Sequence, residues 1–176
     1  MAHIRSFPPI SGVDAEVLIL GSMPGKASLL AEQYYAHPRN SFWRIIEGVV
    51  GIDSALSYED RCSQLIEHRI AVWDVLKACT RSSSLDSDIV ESSIVPNDFE
   101  GFFEMHTRIR AVYFNGAKAA NSYMKYVVPE LPEAMARLGT ARLPSTSPAH
   151  ASLSFEAKLK KWKVITTLPF LWEKKR

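Results

Sequence analysis

Four short stretches carry side chains whose types and spacing could do chemistry. The first is Gly21-Ser22-Met23-Pro24-Gly25-Lys26-Ala27-Ser28. A phosphate-cradling P-loop needs four residues between its glycines, and a Ser or Thr after the lysine to reach magnesium. Here three residues separate Gly21 from Gly25 and Ala27 follows Lys26, so nucleotide hydrolysis is disfavoured. The second stretch runs from Tyr34-Tyr35 through His37-Pro38-Arg39-Asn40-Ser41-Phe42-Trp43. Two adjacent tyrosines do not both face one core comfortably, which leaves one as a stacking platform for a planar ligand. Phe42 and Trp43 read as core aromatics beside a helix cap. Arg39-Asn40 fit that reading poorly, because a polar pair next to aromatics suits recognition. The third stretch is Asn115-Gly116 at the tip of an apolar strand, either a turn or an amide that reads a base edge. The fourth is Ser145-Thr146-Ser147-Pro148-Ala149-His150. No acid lies near His150 in sequence, so a hydrolase triad has no evident third member.

The elements that must hold these residues alternate between strand and helix. Ala15–Leu20 is a short apolar run ending at Gly21, the pattern of a buried parallel strand feeding a loop. Gly21 to Asn40 reads as a long loop, and loops of that length in compact domains are usually functional. Helical spacing of Phe42, Trp43, Ile45, Ile46, Val49 and Val50 predicts a helix with Ser41 near its N-cap. A second helix runs from Tyr58 to about His68. Ile70–Val75 is a second strand, and the polar CTRSSSLDSD after it a loop. Pro96 is expected to open a helix through Phe99, Phe102 and Phe103, since proline suits a first helical turn. Arg110–Phe114 is a third strand, followed by a helix over Ala117–Val127. Arg142–Leu143 ends a fourth strand, and Ser154–Val164 is a final amphipathic helix. This order predicts an α/β fold: a three-layer α/β/α sandwich around a central four-stranded, mostly parallel sheet, as one domain over residues 1–176. Sites in such folds sit at the carboxyl ends of the strands, where all four stretches fall.

Composition narrows the class. At 47% hydrophobic and 23% charged residues, the 176-residue chain is neither disordered nor of low complexity. No apolar run approaches the roughly 18 residues of a membrane span, and no secretory signal opens the chain, so a soluble cytoplasmic protein is expected. Two cysteines, Cys62 and Cys79, exclude a four-cysteine zinc or iron–sulfur site. The formal charge is only +2, but unevenly spread. Residues 1–88 carry 8 basic and 11 acidic side chains, the remainder 13 and 8. The excess lies in Lys158, Lys160, Lys161 and Lys163 and in Lys174, Lys175 and Arg176, a stripe that fits a phosphate backbone. Charge alone favours the plainer reading, a solvated helix face and tail.

Three motifs in chain order resemble the uracil-DNA glycosylase superfamily. They are Gly21-Ser22-Met23-Pro24-Gly25, His37-Pro38-Arg39-Asn40-Ser41-Phe42-Trp43 and Ser145-Thr146-Ser147-Pro148-Ala149. Together they are most similar to its hypoxanthine-DNA glycosylase (DNA-deoxyinosine glycosylase) family. The first two also resemble mismatch-specific uracil glycosylases. Those enzymes have a catalytic asparagine at the position of Met23, and other branches an aspartate; methionine neither polarises a water nor binds one strongly. The resemblance therefore implies Asn40 as the catalytic residue.

What the resemblance implies can be matched to chemistry. Hydrolysing an N-glycosidic bond requires extruding the nucleotide, stacking its base, donating hydrogen bonds to the leaving base and holding a water at C1′. Asn40 would hold that water through its amide oxygen. Tyr35, twelve residues beyond Met23, matches the base-stacking aromatic, a contact worth about 1–3 kcal/mol per base. Asn115 would read the purine edge, with Gly21, Ser22, Met23, Pro24 and Gly25 forming the pocket wall. Ser145, Ser147 and Pro148 resemble the motif that pinches the strand by phosphate contacts, with Lys160 adding charge. His150 would bond a phosphate or the departing base anion. Ala151 falls where related enzymes place a bulky wedge. The expected protein is a monomeric, monofunctional glycosylase acting on damaged DNA, without cofactor or metal and without a Schiff base at Lys26, leaving an abasic site. The alternatives are a uracil-directed mismatch glycosylase and a non-catalytic damage-binding module of the same fold.

Overall fold

The computed structural model describes residues 1–167. Lys174, Lys175 and Arg176 of the predicted basic stripe lie outside the described residues. The central sheet contains β2 (Val17–Gly21), β3 (Ile70–Asp74), β6 (Ala111–Asn115) and β7 (Gly139–Leu143) in the order β3-β2-β6-β7, with every pairing parallel. All five residues of β2 and of β3 are buried, as the unbroken apolar runs dictate for strands covered on both faces. β2 and β3 are joined through α1 (Lys26–Ala31), α2 (Phe42–Val50) and α3 (Tyr58–Glu67), while β6 lies against the opposite edge of β2. Strand order thus reverses at β2, and a crevice opens beyond its carboxyl end.

Register decides which side chains share a face. Leu20 pairs with Trp73 and Phe114 on its two sides. On that face Trp73 packs on Phe99 and Phe102 of α4 (Phe99–Met105), and Phe114 on Tyr123 just after α5 (Ala117–Ser122). The alternate rung points the other way, where the Tyr113 hydroxyl donates to the Val164 carbonyl just beyond α7 (Phe155–Trp162) and Phe42 of α2 meets Trp162 edge-on. Helices therefore cover both faces, completing the expected three layers. At the crevice Gly21 pairs with Asp74, and Asn115 with Leu143.

Several expectations require correction. The segment Gly21–Asn40 is not all loop, since it contains α1. Cys79–Arg81, read as loop, finish β4 (Leu76–Arg81), which pairs antiparallel with β1 (Ala2–Arg5) and β5 (Val95–Pro96) in a separate three-stranded sheet. Pro96 lies in β5; α4 starts later because Asp98 caps it, accepting from the Gly101 N–H at 3.0 Å. The helix over Ala117–Val127 widens into a π turn at Tyr123–Val127. Just beyond it comes Pro129, whose ring has no N–H to return to Lys125. A short α6 (Glu133–Ala136) precedes β7.

Candidate active site

The carboxyl ends of β2, β3 and β6 open into a cleft of about 1070 Å³. All four chemically informative stretches reach it: Gly21–Gly25, then Tyr35, His37 and Asn40, then Asn115, then Ser145–His150. Lys160 is exposed on α7 and outside the cleft lining.

The two tyrosines separate as their adjacency demands. Tyr34 is core: its hydroxyl donates to the Pro8 carbonyl at 2.9 Å, and its own carbonyl accepts from Trp43 Nε1 at 3.0 Å. Tyr35 turns into the cleft through a left-handed backbone, φ 56°, a conformation that costs a bulky residue of order 1–3 kcal/mol. Its ring stacks on Phe42 with centroids 4.0 Å apart and planes 23° apart. Phe42 is fully buried and outside the cleft lining, so it backs the Tyr35 ring.

Asn40 is half-buried in the cleft wall. Its Oδ1 accepts from the Phe42 N–H at 2.9 Å, so the carboxamide supplies the side-chain cap of α2. Ser41 stands at the N-cap position, but its N–H and hydroxyl both donate to the Thr146 carbonyl, at 3.0 and 3.3 Å. His37 Nδ1 accepts from the Arg39 N–H at 3.1 Å, which leaves the ring proton on Nε2. The cap fixes the Asn40 amide in the cleft lining and uses one of the two lone pairs of Oδ1.

Asn115 is committed to the neighbouring loop. Its Nδ2 donates to Thr146 Oγ1 and its Oδ1 accepts from the Thr146 N–H, both at 2.9 Å. Gly116, at φ 97°, makes the sharp exit from β6, and a Cβ there would stand 3.1 Å from Ser145 Cβ. The Ser145–His150 loop is held by side-chain turns: Ser145 Oγ accepts from the Ser147 N–H and Ser147 Oγ from the Ala149 N–H, each at 3.2 Å. Both hydroxyl protons stay available to an acceptor such as phosphate. Lys158, only 6% exposed, turns inward and donates to the His150 carbonyl at 2.7 Å. Burial pushes its pKa down. Lys158 is therefore removed from the basic stripe and acts as a strut.

The closed end of the cleft holds groups the sequence reading did not single out. Asp74, 3% exposed, ends β3 paired with Gly21. A Cβ on Gly21 would stand 2.5 Å from Asp74 Oδ1 and 2.9 Å from the Tyr35 hydroxyl, so only glycine admits both. Among the described residues, Asp74 Oδ2 and the Tyr35 hydroxyl are buried without a hydrogen-bond partner. Each such atom costs about 1–3 kcal/mol until something satisfies it. Burial, reinforced by Asp86 and opposed by Arg81, pushes the Asp74 carboxyl up to about 7. Burial and then Asp74 raise the Tyr35 phenol; the adjacent Asn115 amide opposes this, and the hydroxyl stays protonated. Arg81 is buried under the first loop, where its Nη2 donates to the Pro24 carbonyl, and Ser22 Oγ donates to Asp86 Oδ1 at 2.6 Å. The available signal was an acid ending the apolar strand Ile70–Val75, at the position Gly21 and Asn115 hold in theirs.

A family model described as "Uracil DNA glycosylase superfamily" matches residues 8–170. The chain belongs to the uracil DNA glycosylase superfamily. Two relatives named hypoxanthine DNA glycosylase, from Methanosarcina acetivorans and Methanosarcina barkeri, are 41% and 38% identical over 116 residues. Each alignment covers 65% of this chain and 72% of the relative. The solution NMR structure of a candidate uracil DNA glycosylase from Methanosarcina acetivorans superposes with a TM-score of 0.75 at 33% identity. It covers 94% of this chain and 99% of that one. In this superfamily member Met23 is buried in the first loop, a wall with no group to activate water. Among the described residues no group of three or more His, Cys, Asp or Glu is gathered to hold a metal, and no helix is long and apolar enough to cross a membrane.

Proposed function

We propose that the chain is a monofunctional DNA glycosylase that excises deaminated bases, hypoxanthine foremost, from damaged DNA. It would act as a monomer on DNA in the cytoplasm and leave an abasic site. The observation that carries this reading is the convergence of the α2 cap residue Asn40, the ring of Tyr35 and the Ser145–His150 rim on one cleft at the strand ends. An extruded nucleotide entering it would lay its base along the Tyr35 face turned away from Phe42. Ser145, Ser147 and His150 would donate to the flanking phosphates.

The remaining lone pair of Asn40 Oδ1 would orient a water toward C1′. The glycosidic bond breaks with its electron pair leaving on the purine, so the sugar becomes oxocarbenium-like and the water adds to it. A carboxamide is too weak a base to take the water's proton early, so that proton departs after most of the bond has broken. Fixed donors around a water-excluded base stabilise the negative charge that develops on it.

Single-turnover incubation with duplexes containing deoxyinosine, deoxyuridine or deoxyxanthosine, followed by alkali, tests the reading. Scission at the lesion without added metal is expected. Burial of Met23 and the capping bond made by Asn40 favour one rival, a damage-binding module without activity. Lesion binding with no scission would establish that rival instead.

A further inference from the structure

Swinging a nucleotide out of a duplex leaves a gap in the stack, and an apolar side chain large enough to fill that gap keeps the base from falling back. The rim that meets phosphates in the mechanism above is poorly equipped for this. Its exposed apolar side chains are Pro148 and Ala149, with Ala151 just beyond, while Leu153 is half-buried and outside the cleft lining. The opposite lip differs. Of the large hydrophobic side chains exposed among the described residues, only Leu30 on α1 and Leu85 in the loop after β4 line the cleft.

Leu85 sits on a braced tip. Its N–H donates to Ser83 Oγ at 3.0 Å, and its carbonyl accepts from the Asp88 N–H at 3.1 Å. The residues on either side are fastened to the segment that follows β2: Ser84 Oγ accepts from the Lys26 N–H at 2.9 Å, and Asp86 Oδ1 from the Ser22 hydroxyl at 2.6 Å. The side chain between them stays 49% exposed. On an open surface a single exposed leucine needs no explanation, but this one is held in place at the mouth of the cleft. The charged side chains of the tip are Asp86 and Asp88, which repel phosphate. What the tip suits is the apolar base stack. A loop tip can pass between the strands, whereas Leu30 reaches the stack only if all of α1 does.

We infer that Leu85 is the wedge: it enters the stack as the damaged nucleotide swings into the cleft and occupies the vacated space. This rests on the glycosylase reading above and adds to it a positioning residue on the lip facing the phosphate-binding rim. Leu85 touches neither the scissile bond nor the excised base. It acts by holding the lesion within reach of Tyr35 and Asn40.

The test joins two readouts on deoxyinosine duplexes, the emission of a 2-aminopurine placed beside the lesion and the single-turnover excision rate. Unmodified protein should raise the emission, because 2-aminopurine brightens when it unstacks. Leu85→Ala should lose at least about half of that rise and excise about tenfold more slowly, a part of the cost of opening a base step. Its melting curve should not move, since the truncated side chain is half in solvent. A pyrene nucleotide opposite the lesion, which fills the gap from the other strand, should bring the variant to within about twofold of unmodified protein. Leu30→Ala and Leu153→Ala should keep both readouts. Unchanged emission and rate in Leu85→Ala, a loss that pyrene does not restore, or a loss that falls on Leu30→Ala or Leu153→Ala instead overturns the wedge and leaves the glycosylase reading intact. If unmodified protein excises no deaminated base, the glycosylase reading fails, while the emission series still decides whether Leu85 enters the stack.

Discussion

Asn115 and Thr146 exchange two hydrogen bonds of 2.9 Å, amide to hydroxyl and backbone N–H to amide oxygen. Thr146 is 1% exposed, and its carbonyl takes both donors of Ser41 at the start of α2. This one residue therefore ties the end of β6, the cleft rim and the start of α2, next to Asn40, into a single piece. Thr146→Val keeps the shape and the backbone bond but leaves Asn115 Nδ2 unpaired. A loss of about 1–3 kcal/mol is expected in urea unfolding, with the single-turnover rate falling more than lesion affinity.

Asn40 caps α2 through its Oδ1, and the proposed mechanism also has it hold the water. Asn40→Ala should cost about 0.5–2 kcal/mol through the lost cap, and about 100-fold or more in excision rate, the scale of a misplaced reactant. Asn40→Asp preserves the cap, since Asp caps as well as Asn. Thermal unfolding and single-turnover kinetics of the two variants separate the duties. If Asn40→Ala turns over normally, the residue is a cap only.

Asp74 makes stability depend on pH in a definite direction. Its folded pKa of about 7 lies above the ordinary 3.8, so the folded chain holds a proton that the unfolded chain has released. Between those values stability falls as pH rises, and above about 7 a constant penalty of about 4 kcal/mol remains. Asp74→Asn should therefore raise the denaturation midpoint at pH 8 and leave it nearly unchanged at pH 4. A gain equal at both pH values would show that the carboxyl is ionised in both.

The lysines of α7 should divide by direction. Lys160 and Lys161 are exposed, so replacing both with Ala should weaken DNA binding and flatten its salt dependence by about one unit of slope per lost phosphate contact. Lys158→Met should leave the slope unchanged while lowering the melting temperature, because it frees the His150 carbonyl. Binding isotherms at several salt concentrations, with melting curves, check both.

Three strands of the central sheet were legible because β2, β3 and β6 are nearly continuous apolar runs, while β7 (GTARL) showed only its end, Arg142–Leu143 before Pro144. The second sheet was not. β1 and β5 are short, and β4 (LKACTR) is too polar to stand out, so its pairing depends on partners distant in sequence. Pro96 misled in the same way, because a proline at an edge strand and one at a helix start look identical until the neighbouring strand is known. At the cleft, motif residues from Gly21 to His150 were readable as a set, and so was the likelihood of one tyrosine leaving the core.

Local chemistry, written residue by residue, specified the strand–helix alternation and the loops that gather at the strand ends. Its limit is direction. Whether Asn115 meets substrate or Thr146, whether Lys158 faces phosphate or a carbonyl, and whether an aspartate inside IAVWDV is core or cleft depend on sheet register and on what packs across the rung. Parallel register puts Asp74 beside Gly21, and the missing side chain of Gly21 leaves room for Asp74 and the Tyr35 hydroxyl. That arrangement is a long-range property, formed only when three strands dock.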